Sequence, residues 1–185
     1  MSSTRSRVVA LGLALVALGG CHMPSGSGPG RKGTALIGSG PQLHGVLGFP
    51  HVRPGLRYRF SYPMLKNRGK ETVEITRMRL LHVPEGVKVL GYSVYSDLET
   101  NGFLLSGRDP GSRKMGDPDF GSFHDYYKRS YSIKPGVLSD KYGSVLVEVT
   151  GRVRGHLGGC RVEYKQGDVS YYQDMHCEFA LDSAK

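Results

Sequence analysis

The sequence predicts an all-β chain whose single domain is an antiparallel β-sandwich. Three observations carry that expectation. Apolar and polar residues alternate with period two over several stretches, and Gly, Pro and Asn punctuate those stretches at short intervals. No stretch beyond residue 20 sustains a helical apolar stripe, so little helix is expected. Glycine is frequent at 27 of 185 residues and hydrophobic content is 38%, which favours turns and short strands over long helices.

The clearest strand covers residues 145–153. Val145, Val147, Val149, Gly151 and Val153 share one face, while Leu146, Glu148, Thr150 and Arg152 share the other. Cys160, Val162 and Tyr164 alternate with Arg161, Glu163 and Lys165 in the same way. Earlier strands are predicted over 56–62, 72–81 and 87–95, with a short one at 130–133. Within 72–81, Val73 and Ile75 set one phase and Met78 and Leu80 the other. A β-bulge near Thr76 or Arg77 reconciles them. Turns are placed at Asn67-Arg68-Gly69, Pro84-Glu85-Gly86, Lys134-Pro135-Gly136 and Gln166-Gly167. The spacing suits an antiparallel sandwich.

The run Pro63-Met64-Leu65-Lys66-Asn67-Arg68-Gly69, then Val73-Glu74-Ile75, then Ile133-Lys134-Pro135-Gly136 before a valine-rich strand resembles extracellular bacterial immunoglobulin-like modules. The resemblance covers residues 55–154. The chain departs from antibody-type domains in having no tryptophan and in carrying its cysteine pair at the C-terminal end. The resemblance implies an immunoglobulin-like sandwich with a binding or accessory role, although a fold does not by itself give a function.

The N-terminus has the order of a secretory leader. Arg5 and Arg7 supply positive charge, and residues 8–18 are apolar apart from Gly12. That stretch is shorter than the roughly 20 residues a bilayer span needs. It closes on Leu18-Gly19-Gly20-Cys21, which resembles the lipobox cleaved by the lipoprotein signal peptidase. The expected organisation is a signal peptide over 1–20, a flexible Gly/Ser tether over 21–33, and a β-sandwich over 34–185 with an insertion at about 99–129. Diacylglycerol on Cys21 brings two acyl chains, enough for stable anchoring. The expected location is therefore extracytoplasmic, at the bacterial cell membrane. The other reading of Cys21 is a chance cysteine near an ordinary cleavage site.

The formal net charge is +9, of which Arg5 and Arg7 leave with the leader. Acidic residues are interleaved with the rest, unlike the concentrated patch of a nucleic-acid binder. The expected partners are the membrane, through Cys21, and a protein or cell-envelope polymer; nucleic acid is not expected. A basic surface suits anionic lipid or wall polymer.

With Cys21 assigned to lipid, Cys160 and Cys177 remain, and an oxidising compartment favours a disulfide between them. A free or metal-binding thiol pair is the alternative. A tight hairpin at Gln166-Gly167 sets Lys165 opposite Asp168 and Cys160 opposite Gln173. Cys177 then falls roughly 13 Å further along, whereas a disulfide needs Cα atoms within about 7 Å. A bend or bulge near Asp174, or a wider hairpin loop, closes that gap.

The insertion ends in Phe123, His124, Asp125, Tyr126 and Tyr127, the candidate binding loop. It reads either as an exposed binding surface or as a segment whose aromatics tack it to the sandwich. Asp117, Asp119 and Gly121 lack the further oxygen ligand and closing glutamate of a calcium loop. Met175-His176-Cys177 offers copper-type ligands, but a disulfide at Cys177 removes the thiolate. Ser122, His124 and Asp125 are neighbours without a nucleophile elbow. No catalytic residue, metal ligand or cofactor is assigned. The expected function is a non-catalytic binding or accessory module, followed by a small-ligand or copper-binding lipoprotein and, third, a hydrolase.

Overall fold

Val145, Val147 and Val149 are fully buried along the longest stretch of the valine strand, and they organise one sheet of a two-sheet sandwich. The computed structural model describes residues 30–40, 43–110 and 119–183. The expected signal peptide, Cys21, most of the tether and Asp117 lie outside the described residues.

The strands in chain order are β1 (Arg31–Lys32), β2 (Leu36–Ser39), β3 (Leu47–Val52), β4 (Arg57–Ser61), β5 (Met64–Asn67) and β6 (Val73–His82). They continue as β7 (Glu85–Ser96), β8 (Ser106–Arg108), β9 (Tyr131–Ile133), β10 (Lys141–Arg154), β11 (Leu157–Gln166) and β12 (Val169–Ser183). Helical structure among the described residues is limited to short 3₁₀ geometry, at Phe120–Ser122 and at Leu43. One sheet runs β7-β10-β4-β8; the other runs β1-β12-β11-β6-β9, with β3 also on β12; β2 and β5 form a small third sheet.

The pairings are mostly antiparallel, as expected, with two parallel ones that make the larger sheet mixed. β1 and β3 both run parallel to β12, at Arg31↔Tyr171 and Phe179↔Leu47 respectively. The first described residues run along β12, the chain leaves it after Gly33 to form β2, and it returns to the same edge with β3. Among the described residues, sheet pairing begins at Arg31.

Between the sheets lie Tyr58, Phe60 and Tyr62 from β4 and the residue after it, facing Val162, Tyr164, Phe179 and Leu181. The rings of Phe60 and Phe179 stack at 4.8 Å. Burying each such side chain is worth about 1.5–3 kcal/mol, which makes this layer the main source of stability. β6 buries both of its apolar phases, Val73 and Ile75 as well as Met78 and Leu80. The bulge read from the sequence makes this work: Glu163 pairs with Arg77 but Tyr164 with Ile75, so Thr76 is the extra residue.

The last hairpin differs from its expected register. Gln166 pairs with Val169, so the two-residue loop is Gly167-Asp168, with Gly167 at φ 55°. The positive φ that such a loop needs falls on Gly167 as its first residue, which moves the register on. Cys160 therefore stands opposite Met175, two residues short of Cys177. The remaining offset is absorbed on β12, where His176 and Cys177 together stand opposite Gly159 (φ 67°), a bulge two to three residues beyond the bend expected near Asp174. The Cα atoms of Cys160 and Cys177 come within 5.7 Å and the disulfide closes.

Asn67, fully buried, ties the β5–β6 turn to the end of β9 at one end of the sandwich. Its Nδ2 donates to the carbonyls of Glu71 (2.8 Å) and Ile133 (2.9 Å), and its Oδ1 accepts from Gly69 N–H. The insertion between β7 and β10 is no free loop either. It adds β8 to the outer edge of β4 and β9 to the outer edge of β6.

Candidate functional site

Arg59 alternates outward on β4, where a guanidinium would normally meet water, yet it is only 7% exposed. The insertion covers it. Its Nε and Nη2 donate to Asp109 Oδ2 at 3.1 and 2.8 Å, and Nη1 donates to Ser93 Oγ at 3.1 Å. The guanidinium carbon lies 5.1 Å from the Phe120 ring centre and 5.7 Å from that of Tyr95. Tyr95, Phe120 and Tyr142 form a second small core with Met64, Phe103, Leu104 and Phe123 packed against it. Burial pushes the Tyr95 and Tyr142 hydroxyls above their ordinary range, so both stay neutral donors.

The structure brings the five residues of the candidate loop together, with most of their contacts turned inward. Phe123 meets Tyr95 edge-on at 6.3 Å. Asp125 Oδ1 accepts the backbone N–H of Val94 (2.9 Å) and of Tyr127 (2.8 Å), and Tyr126 N–H donates to the Val94 carbonyl. This segment thus satisfies the free edge of β7 at Val94. The Tyr126 hydroxyl donates to Glu99, and its ring carries the Lys141 ammonium at 5.1 Å. Tyr127 stacks on Tyr92 at 6.2 Å. His124, packed edge-on against Tyr126, stays exposed.

The chemical constellations fare differently from their sequence spacing. Ser122 Oγ donates to the Asp119 carbonyl at 2.7 Å, and the Asp125 oxygen is occupied by backbone N–H groups, so Ser122, His124 and Asp125 form no proton relay. Met175 faces the core, His176 is exposed and Cys177 is disulfide-bonded, which separates the three copper-type ligands. Among the described residues, no group of three His, Cys, Asp or Glu side chains is placed to hold a metal ion. His156 Nδ1 lies 2.6 Å from Glu178 Oε1 as a surface pair.

A surface the sequence did not reveal lies on the outer face of β6, β11 and β12. There a groove is lined by Thr76, Arg77, Arg79, Arg161, Glu163 and Tyr172. Arg161 clamps Asp174 with two bonds of 2.6 and 2.8 Å and lies 4.3 Å over the Tyr172 ring. Arg79 Nε reaches Glu163 Oε1 at 3.1 Å. Arg77 is exposed with no ion-pair partner among the described residues. The hydrogen bonds from Arg161 hold the Asp174 carboxyl below the usual range; partial burial opposes them, and Lys32 and Arg79 reinforce them. The outward positions of β11 are readable, but their lateral neighbours depend on registers that the bulges at Thr76 and at His176–Cys177 set.

Comparison of the chain with protein-family models, with curated proteins and with solved structures gives no match.

Proposed function

We propose that this chain is an extracytoplasmic bacterial lipoprotein, anchored by diacylglycerol on Cys21, whose immunoglobulin-like domain is a binding or accessory module without chemistry of its own. The observation that carries the reading is the Cys160–Cys177 disulfide, since such bonds persist in oxidising compartments. It leaves Cys21 as the remaining cysteine of the three, at the position where the leader resembles a lipobox.

The strand pairing supports the immunoglobulin-like reading. β4, β10 and β7 occupy the places of strands B, E and D, and β6, β11 and β12 those of C, F and G. Here the disulfide links F to G within one sheet instead of bridging the two. The binding surface in this reading is the outer groove of that second sheet. Arg77 offers an uncommitted guanidinium to a carboxylate or phosphate, beside the aromatic face of Tyr172. A protein or an anionic envelope polymer supplies such groups, and an exported domain does not meet nucleic acid.

Two measurements test the reading. Cys21→Ala should abolish lipid labelling and processing by the lipoprotein signal peptidase; unchanged processing and membrane retention would overturn the anchor. A photo-crosslinking residue at Arg77 should give a discrete adduct in intact cells that Tyr172→Ala weakens. If that position yields no adduct while one on the far side of the domain does, the groove is not the binding surface.

A further inference from the structure

β1 lies against the first residues of β12, so the chain joins the domain at the pole where the turns bound by Asn67 meet. The β5–β6 turn, the segment after β9 and the β11–β12 hairpin share that pole, as shown by the pairings Lys165↔Glu74 and Val73↔Ile133 and the bond from Gly136 N–H to the Asn67 carbonyl. Lys32, Lys66, Arg68, Lys70, Lys134 and Lys165 are exposed there, against the acidic side chains of Glu71, Glu74 and Asp168. None of those six cations is in an ion pair among the described residues.

Apolar side chains are exposed among them. Ile37 (38%), Val137 (46%), Leu138 (45%) and Val169 (37%) all lie at or beside this pole. Ile37 pairs with Lys66, and Lys66 bridges to Leu138, so the three stand in one outward row, apolar, basic, apolar. Water alone gives no reason for that row. A bilayer boundary accepts both halves of it, because apolar tips enter the acyl boundary while lysine stems reach back to anionic headgroups.

We infer that this N-terminal pole is a membrane-docking surface for anionic phospholipid headgroups. The inference rests on the Cys21 anchor. Gly30 is nine positions from Cys21, a reach of at most about 32 Å at 3.6 Å per residue. The 14 residues of β10 alone span about 46 Å toward the opposite pole. The anchor therefore keeps the basic pole close to the bilayer and the opposite pole out of end-on contact.

The chain contains no tryptophan, so a single introduced tryptophan reports without background. Val169→Trp and Leu138→Trp probe the pole, and Val83→Trp, exposed in the β6–β7 turn at the opposite end, is the control. The purified mature lipoprotein is reconstituted into brominated-chain vesicles of phosphatidylcholine, with or without one quarter phosphatidylglycerol. Emission at 169 and 138 should shift to the blue and be quenched at least two-fold more in the anionic vesicles, with the control unchanged. Lys66→Glu with Arg68→Glu and Lys134→Glu should remove the difference. Equal emission at all three positions, or equal quenching in both vesicle types, would overturn the inference. The mass of the N-terminal peptide from the same sample reports lipidation separately. If Cys21 proves unmodified, the anchor reading fails. The same probes on protein added from solution then decide the pole: anionic-selective quenching upholds it, and none overturns it.

Discussion

Arg59 Nη2 sits 2.8 Å from Asp109 Oδ2, a charge pair that ties β4 to the insertion that covers it. The Arg59 side chain is 9% exposed and that of Asp109 is 23% exposed. Removing one member of such a pair strands a charge in a poorly hydrated site. Asp109→Ala should cost about 3 kcal/mol, read as a shift in the urea midpoint. Arg59→Met keeps the apolar stem against Phe120 and removes the charge. The double variant Arg59→Met with Asp109→Ala should lose less than the sum of the singles, and strict additivity would mean the pair is uncoupled.

Asp125 acts on the edge of β7. Asp125→Ala leaves the N–H groups of Val94 and Tyr127 without their acceptor and should cost about 1–3 kcal/mol. Hydrogen exchange at the Val94 amide should accelerate selectively. Asp125→Asn retains a carbonyl oxygen and should behave nearly as the parent. Equal loss in both variants would instead assign the negative charge a role of its own.

Gly159 takes φ 67°, and a Cβ there would come 3.1 Å from the Leu81 Cβ. Gly159→Ala should destabilise the domain by about 1–2 kcal/mol through the left-handed backbone alone. Replacing Cys160 and Cys177 together by serine releases a closure of sequence separation 17. That should cost about 3 kcal/mol by thermal unfolding under non-reducing conditions. Under reducing conditions parent and variant should converge.

Asp174 sets a pH dependence. Its carboxyl is held low by the hydrogen bonds from Arg161, so the folded domain binds its proton more weakly than the unfolded chain. The resulting stabilisation is fully present above the ordinary aspartate range and is lost as pH falls through the lowered folded value. Asp174→Asn should flatten the acid limb of the stability curve, and Arg161→Lys, which cannot form the two-pronged contact, should flatten it partly. An unchanged acid limb would assign the acid sensitivity to other carboxylates.

Alternation made β10, β11 and the two phases of β6 readable before any coordinates, because each has one face in the central core. It failed where burial is two-sided. Ser93, Val94, Tyr95 and Ser96 are all buried, since the insertion covers the face that would otherwise meet water. Arg59 reads as a solvated strand residue for the same reason. β8 is three residues long and owes its extended form to the edge it joins, so no local pattern announces it, whereas β9 falls within the short strand expected at 130–133. The bonds of the candidate loop to Val94 have no signature in the sequence, because they depend on where an edge strand lies. The groove at Arg77 was invisible for a related reason, since it gathers three strands through two bulges.

The placement of β8 and β9 bears on self-association. Each sheet ends on one side in a three-residue strand from the segment between β7 and β10, so Tyr58–Phe60 of β4 and Val73–Ile75 of β6 are closed to a neighbouring copy. For molecules held side by side on a two-dimensional surface, local concentration is high and open ladders invite fibrous stacking. Loosening the insertion would unmask both ladders at once. Its damage would then appear as clustering between molecules, even where each separate domain still folds.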